Sequence, residues 1–143
     1  FLLFSTHGYL SLAHPMLSAI VLRQPGAAGY DGYLTAAELP LYDLDSELIV
    51  LSACETGVGQ VRSGSGVMGL PLSLMIAGNR NAVVTLWRVP DSSAAEFVAR
   101  LFGRLKANVP PAEALARTKR DMAMDRRFSD PVHWAGFVLY GAQ

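Results

Sequence analysis

The sequence predicts an α/β fold with a mostly parallel central sheet flanked by helices. Two observations support this class. Apolar runs of strand length alternate with longer segments of helical periodicity, and no internal repeat or linker-like segment interrupts them. The clearest strand, residues 48–51, is apolar throughout and contains the β-branched Ile49 and Val50, as is typical of a parallel strand covered on both faces. At 143 residues, one domain over residues 1–143 is expected.

The first part of the chain predicts a strand over residues 1–5, a loop over 6–15 and a short apolar run over 18–22. Residues 24–32 are dense in turn formers and predict an exposed hairpin tip. Because Phe1 already lies in core-like sequence, we expect the chain to be the C-terminal part of a longer protein. The N-terminal strands of the same sheet are then missing from it.

A capping box predicts a brief helix near residue 35. Thr35 and Glu38 have the spacing at which each side chain satisfies a free amide of the first helical turn. Pro40 lies just beyond and is expected to limit the helix. After the strand at 48–51, residues 55–66 contain four glycines and predict a loop.

Helical patterns dominate the rest of the chain. Residues 67–77 are apolar nearly all round and predict a buried helix, which Pro71 delays to about residue 69 or 70 and the following Gly-Asn pair ends. The remaining elements are a strand over 82–87, a helix over 93–107, a helix from 110 to 124 and a closing strand over 134–140. In the helix over 93–107, Phe97, Leu101 and Leu105 repeat every four residues and form a face that would pack on the sheet.

Composition disfavours several classes of partner. The 51% hydrophobic content favours a strongly buried core, and no apolar run reaches the roughly 18 residues of a membrane span. Twelve basic and twelve acidic side chains cancel, so neither nucleic acid nor a membrane is an expected partner. A single cysteine cannot form an internal disulfide, which fits the reducing cytoplasm.

Two predicted strand ends carry reactive side chains. Cys54, the only cysteine, follows the strand at 48–51, and His7 follows the strand at 1–5. Ligands of open α/β sheets bind at the carboxyl ends of strands. The two residues also have roughly the 50-residue separation noted between histidine and cysteine in caspases. Cys54 and His7 are therefore candidate nucleophile and base, and the alternative is a packed cysteine and a structural histidine.

Five ordered stretches around these residues resemble the CHAT domain, a caspase-like domain commonly attached to tetratricopeptide repeat (TPR) arrays and related to caspases and separase. The resemblance covers nearly the whole chain. Its stretches are Phe4-Ser-Thr-His-Gly8, Leu34-Thr-Ala-Ala-Glu38, Val50-Leu-Ser-Ala-Cys-Glu-Thr-Gly57, Thr85-Leu-Trp87 with Val89 and Asp91, and Asp130-Pro131 with Trp134-Ala135 and Phe137-Val-Leu139.

The resemblance implies a caspase-type sheet and a cysteine endopeptidase that acts on a protein or peptide substrate, with no cofactor. Cys54 would attack the scissile carbonyl, and His7 would supply the proton to the leaving amine. The backbone amides of Gly8 and Cys54 would stabilise the oxyanion. The resemblance also implies regulation by attached or partner elements, such as a TPR region in the same chain or a regulatory protein.

Two acidic residues are candidates for substrate binding. Asp91 resembles, by its place after a strand end, the acidic residue that lines the pocket for a basic side chain in separase. The alternative is that Asp91, or one of the two serines after it, caps the following helix. Glu55 lies beside Cys54, where a carboxylate disfavours the thiolate unless it faces the loop or a substrate. The caspase signature Gln-Ala-Cys-[Arg/Gln/Gly]-Gly is not present, so a preference for aspartate is not expected.

Other interpretations remain. The main alternative is a non-catalytic caspase-like interaction or scaffold module beside a TPR array. Residues 64–69 match the Gly-x-Gly-x-x-Gly pattern but do not directly follow a predicted strand, so nucleotide binding is not favoured. The set His7, His14, Cys54 and His133 lacks metal-site spacing, so no metal is expected. A group of basic residues is expected to form either a solvated helix face or a binding surface for a partner. These residues are Arg117, Lys119, Arg120, Arg126 and Arg127.

Overall fold

The computed structural model describes residues 1–23, 31–52, 60–62 and 66–141. Its strands are β1 (Leu2–Ser5), β2 (His7–Tyr9), β3 (Ala19–Val21), β4 (Tyr33–Thr35), β5 (Ile49–Ser52), β6 (Gln60–Arg62), β7 (Gly66–Met68), β8 (Asn81–Thr85) and β9 (Phe137–Gly141). Its α-helices are α1 (Leu70–Ile76), α2 (Asp91–Lys106) and α3 (Pro111–Met124). Short 3₁₀ helices cover Pro15–Leu17, Leu39–Leu41 and Pro131–His133.

Four strands form the central sheet, in the order β1-β5-β8-β9. The first three run parallel, and β9 pairs antiparallel with β8. β1 and β5 end level with each other, because Ser5 pairs with Ser52. This arrangement confirms the predicted α/β class and the mostly parallel sheet.

Alternate residues of β5 pack into different layers, because successive side chains of a strand point to opposite faces. Val50 belongs to the buried cluster that contains Phe97 of α2. Ile49 belongs to the cluster that contains Leu74 of α1. Residues 48–51 are fully buried, and each such side chain stabilises the fold by roughly 1.5–3 kcal/mol by leaving water. The strand is covered on both faces, as its sequence predicts.

A small antiparallel sheet, β2-β3-β4, begins directly after β1. β2 lies inside the predicted loop at 6–15, so that prediction is wrong for residues 7–9. This short strand has no apolar stripe, since His7 and Tyr9 are both exposed, and it is defined by pairing with β3. The hairpin tip predicted at 24–32 falls mostly outside the described residues, while β3 and β4 on either side of it pair antiparallel.

The segment between β5 and α1 also differs from the prediction. Residues 60–62 and 66–68 pair as the antiparallel strands β6 and β7. The predicted loop at 55–66 is therefore wrong where it overlaps these strands, and its other residues lie outside the described ranges. Pairing between two three-residue strands leaves no periodic signal in the sequence.

α1 begins at Leu70, as the position of Pro71 predicts, and Gly78 follows its end with a left-handed φ of 95°. The helix is not buried all round. Leu72 and Ile76 are 40% and 60% exposed. The prediction of a fully buried helix is wrong, because only one side of α1 packs into the core.

The capping box forms as predicted. The Thr35 amide donates to Glu38 Oε2 at 2.9 Å, and the Glu38 amide donates to Thr35 Oγ1 at 3.3 Å. The helix that follows is the 3₁₀ helix Leu39–Leu41, which contains Pro40 instead of ending before it. A proline is tolerated there because amides of the first turn have no intrahelical partner to lose.

The C-terminal half keeps its predicted order with shifted ends. α2 begins at Asp91, and β9 begins at Phe137, not at residue 134, because the 3₁₀ helix Pro131–His133 comes first. Phe97 stacks on Phe137 with ring centroids 3.8 Å apart, which joins α2 to β9. No helix in the described ranges combines the length and apolarity needed to cross a membrane.

Candidate functional site

A cavity of about 270 Å³ lies at the carboxyl ends of β1, β5 and β8. Apolar side chains of α2 and of the β8–α2 connection form part of its wall. Its polar lining consists of Ser5, Thr6, His7, Ser52, Thr85, Arg88 and Asp91. Open parallel sheets bind ligands at this edge, so the cavity is the candidate site.

Strand pairing brings three hydroxyl side chains to the cavity. Ser5 of β1 pairs with Ser52 of β5. Val50 of β5 pairs with Val83 of β8, and the same register carried two residues further places Ser52 level with Thr85. The strand ends therefore present small polar groups in a row at this edge of the sheet.

His7 reaches the cavity where the chain passes from the central sheet to the small sheet. Thr6 alone joins the end of β1 to the start of β2. The Thr6 hydroxyl donates to the Val21 carbonyl oxygen at 2.5 Å, and His7 pairs with Val21 across β2 and β3. His7 is exposed, and its imidazole forms no hydrogen bond with another residue of the described ranges. The backbone of His7 is thus fixed by strand pairing, and its exposed side chain belongs to a residue that lines the cavity.

The structure places only part of the predicted dyad and oxyanion site. Gly8 follows His7 in β2 and pairs with Ile20. Cys54 and Glu55 lie outside the described residues. The end of the described strand that leads to them, Ser52, lines the cavity.

Asp91 is the first residue of α2 and lines the same cavity as His7. Pro90 occupies the N-cap position of α2, which has no side-chain cap hydrogen bond, so neither Asp91 nor a serine caps the helix as the alternative predicted. The Ser93 hydroxyl instead donates to the Pro90 carbonyl oxygen at 2.8 Å. The Asp91 carboxylate is left exposed in the first turn, where the helix dipole favours a negative charge.

Arg88 lines the cavity but was not predicted from the sequence as a site residue. It lies between the end of β8 and the start of α2 and lines the cavity with Asp91. Within the described residues, neither side chain forms an ion pair, and both are exposed. The cavity therefore presents one positive and one negative group to a ligand. The only sequence signal for Arg88 is its place in the connection that follows a buried strand.

The two histidines named beside His7 and Cys54 as metal candidates do not line the cavity. His14 precedes the 3₁₀ helix Pro15–Leu17. His133 has its Nδ1 3.0 Å from Ser93 Oγ. In the part of the chain that the structure describes, no three His, Cys, Asp or Glu side chains are grouped to hold a metal ion.

Ion pairs connect α2 to the end of α3. Arg100 pairs with Asp125 at 2.7 Å, and Asp125 pairs with Arg127 at 2.8 Å. Hydrogen bonds from Arg127 and Arg100 hold the pKa of Asp125 well below its usual range. Burial lowers the pKa of Lys119, whose Nζ donates to the Ala135 carbonyl oxygen at 3.3 Å. Part of the predicted basic face is thus engaged in contacts within the chain.

Comparison with known proteins finds sequences similar to this one. The family model described as the CHAT domain matches residues 1–142. The chain is 31% identical over 109 residues to tetratricopeptide repeat protein 28 of Mus musculus, and 29% identical over 109 residues to tetratricopeptide repeat protein 28 of Homo sapiens. Each alignment covers 76% of this chain and 4% of the relative, so the chain spans a small part of the length of the curated relatives it matches.

Proposed function

The chain belongs to the CHAT domain family, which is caspase-like, and on this premise we propose that it is a cysteine endopeptidase domain. Cys54 and His7 form the catalytic dyad, and the substrate is a protein. The observation that carries the proposal is the cavity at the strand ends. His7 and Ser52 both line it, and Cys54 follows Ser52 by two residues in the sequence. Two residues of extended chain span at most about 7 Å, and Cys54 is proposed to bring its thiol to this cavity.

The proposed reaction proceeds through a thioester. A free cysteine has a pKa near 8.5, so only a few per cent is thiolate at neutral pH without a basic or cationic neighbour such as His7. The Cys54 sulfur bonds to the scissile carbonyl carbon, and the C–N bond breaks as the imidazolium of His7 gives its proton to the leaving amine. Water then hydrolyses the thioester. The amides of Gly8 and Cys54 are proposed to stabilise the oxyanion, a role worth roughly 2.7–4 kcal/mol per donor in other enzymes.

Asp91 is proposed to select the substrate. Its carboxylate is exposed in the cavity and forms no ion pair with another described residue, so it is free to pair with an arginine or lysine that precedes the cleaved bond. Glu55, next to the nucleophile in sequence, is proposed to face the substrate as well, because a carboxylate turned toward the sulfur would oppose thiolate formation.

The proposed regulatory partner is a TPR region. The curated relatives are named as tetratricopeptide repeat proteins, and the matched region is a small part of each. We propose that a TPR region of the same polypeptide, or a separate regulatory protein, controls access to the cavity.

Covalent labelling tests the dyad. A peptidyl acyloxymethyl ketone with arginine next to the electrophile is expected to label Cys54 of the intact protein with one equivalent, as seen by intact-mass spectrometry and peptide mapping. His7→Ala is expected to abolish labelling, and His14→Ala, which changes an exposed histidine that does not line the cavity, is expected to keep it. Equal labelling of wild type and His7→Ala would count against the dyad.

A second candidate function is a non-catalytic interaction module. It is favoured by the His7 imidazole, for which no described side chain acts as the orienting third group that many catalytic bases have. In that case Cys54→Ala keeps every binding and cellular function of the intact protein. Loss of function in Cys54→Ala with retained folding would exclude this candidate.

A further inference from the structure

We propose that Ser93 and His133 are positioning residues that hold Asp91 in the cavity, an inference that rests on the proposed function. The stretch 88–91 supplies both charged side chains of the β8–α2 wall. It lies between two hydrogen-bonded anchors, and both anchors join it to the segment 131–136. No residue of that segment lines the cavity itself.

The first anchor holds the beginning of the stretch. Trp87 Nε1 donates to the Val132 carbonyl oxygen at 3.1 Å, and the Leu86 amide donates to the Gly136 carbonyl oxygen at 2.9 Å. The indole of Trp87 also lies against residue 136 so closely that a Cβ there would sit 2.7 Å from its Cε2 atom. Glycine at 136 is what allows this contact.

The second anchor holds the end of the stretch. Ser93 is fully buried, and its single hydroxyl hydrogen is donated to the Pro90 carbonyl oxygen at 2.8 Å. His133 Nδ1 lies 3.0 Å from the same hydroxyl oxygen. Because the serine has no second hydrogen to give, the imidazole must be the donor, with its proton on Nδ1. The chain of hydrogen bonds runs from His133 through Ser93 to Pro90, the residue before Asp91.

The segment that provides these anchors is itself fixed. The Asp130 carboxylate caps the 3₁₀ helix Pro131–His133, because its Oδ1 accepts a hydrogen bond from the Val132 amide at 2.9 Å. The imidazole of His133 also meets the ring of Phe128 edge to face, with centroids 5.8 Å apart. His133 therefore offers two separable contacts, a hydrogen bond to Ser93 and a ring contact with Phe128. The geometry assigns the positioning role to the hydrogen bond, since it alone leads toward Asp91.

Two variants separate these contacts. His133→Phe keeps a ring beside Phe128 and removes the donor. His133→Asn removes the ring and keeps an N–H donor close to the position of Nδ1. His14→Phe is the matched control, because His14 is exposed and forms no side-chain contact with the cavity.

Two readouts are taken on the intact protein. Amide hydrogen exchange over residues 86–94 reports how firmly the stretch is held. The labelling rates of Cys54 by acyloxymethyl ketones with arginine or leucine next to the electrophile report the use of Asp91. His133→Phe is expected to raise exchange at the Ser93 and Ala94 amides, both of which donate to the Pro90 carbonyl oxygen. It is also expected to lower the arginine-to-leucine rate ratio about tenfold, whereas His133→Asn and His14→Phe stay near wild type.

The outcomes are distinguishable. The inference is overturned if His133→Phe keeps the wild-type arginine-to-leucine rate ratio. It is also overturned if His133→Asn lowers this ratio as much as His133→Phe does. Wild-type protein that neither probe labels contradicts the proposed function instead. In that case, hydrogen exchange alone tests whether the hydrogen bond holds residues 88–91 in place. Exchange in His133→Phe equal to that of wild type would then overturn the positioning role.

Discussion

His7 of β2 and Asp91 of α2 line one cavity, and the end of β5 lies between them. His7 follows β1, Asp91 follows β8, and β5 is the strand between these two in the sheet. In the sequence, Cys54 lies two residues after the end of β5. Strand order therefore places a candidate base and a candidate specificity residue on either side of the strand that leads to the proposed nucleophile.

Substitution of Asp91 by asparagine tests the pocket for a basic side chain. Asp91→Asn removes the negative charge with little change of shape. The ratio of kcat/KM for peptides with arginine before the cleaved bond over those with leucine is expected to fall about tenfold to hundredfold, because a charged hydrogen bond is lost. Glu113→Gln is the control, since Glu113 lies in α3 and pairs with Arg117. An unchanged ratio would remove the pocket role.

Arg88 is expected to weaken the preference for a basic side chain before the cleaved bond. Its positive charge shares the cavity with Asp91, so it repels a basic side chain bound there. Arg88→Ala is expected to raise the arginine-to-leucine ratio by about twofold to fivefold, the size of a solvent-screened charge interaction. The measurement is the same pair of peptides at low and at high salt. A ratio that falls would mean that Arg88 contacts the substrate favourably.

The stacked pair Phe97 and Phe137 should dominate stability. Phe97 is fully buried and stacks on Phe137 with centroids 3.8 Å apart. Phe97→Ala is expected to lower the free energy of unfolding by about 3–5 kcal/mol, as measured by urea denaturation. Leu41→Ala, at a residue that is 84% exposed, is expected to change it by less than about 0.5 kcal/mol. Similar effects of the two substitutions would contradict the described core.

Asp125 should make stability depend on pH. The pKa of its carboxyl is depressed in the folded protein by Arg127 and Arg100, so folding favours the charged form. This stabilisation is complete above the unfolded pKa, about 3.9, and is lost as the pH falls from there toward the lower folded pKa. The urea midpoint of Asp125→Asn is therefore expected to lie below that of wild type at pH 7, and the two are expected to converge in acid. A constant difference between pH 7 and pH 3 would rule out this linkage.

Two glycine-to-alanine substitutions are expected to change the free energy of unfolding in opposite directions. Gly136→Ala places a Cβ 2.7 Å from Cε2 and 3.0 Å from Cδ2 of the Trp87 indole, and is expected to destabilise the protein by about 1–3 kcal/mol. Gly103→Ala, inside α2, meets nothing within 4 Å of the new Cβ apart from the adjacent residues and the helix's own backbone, and is expected to stabilise the protein by about 0.5–1 kcal/mol. Urea denaturation of both variants provides the check. Destabilisation by both would mean that residue 103 is packed more tightly than described.

The central elements were predictable because the pattern of apolar residues in their sequences matches the faces that they bury. Residues 48–51 are apolar at every position because both faces of β5 are covered. Phe97, Leu101 and Leu105 form one buried row of α2. The capping box at Thr35 was also predictable, since its two hydrogen bonds are local.

The parts that were not predicted depend on distant partners. β2 is a three-residue strand with two exposed side chains, and it exists because β3 pairs with it. Arg88 is an exposed charged residue, and only the fold shows that it lines the cavity. The hydrogen bond between His133 and Ser93 joins residues 40 positions apart, so no local sequence pattern predicts it.

The anchors at Trp87 and Ser93 have a consequence for biosynthesis. A ribosome adds residues in order from the N-terminus, so Asp91 is made well before Val132, His133 and Gly136. The hydrogen bonds that anchor this wall of the cavity can form only after these later residues have been added. On a growing polypeptide, Arg88 and Asp91 are therefore present before the segment at 131–136 that anchors their stretch.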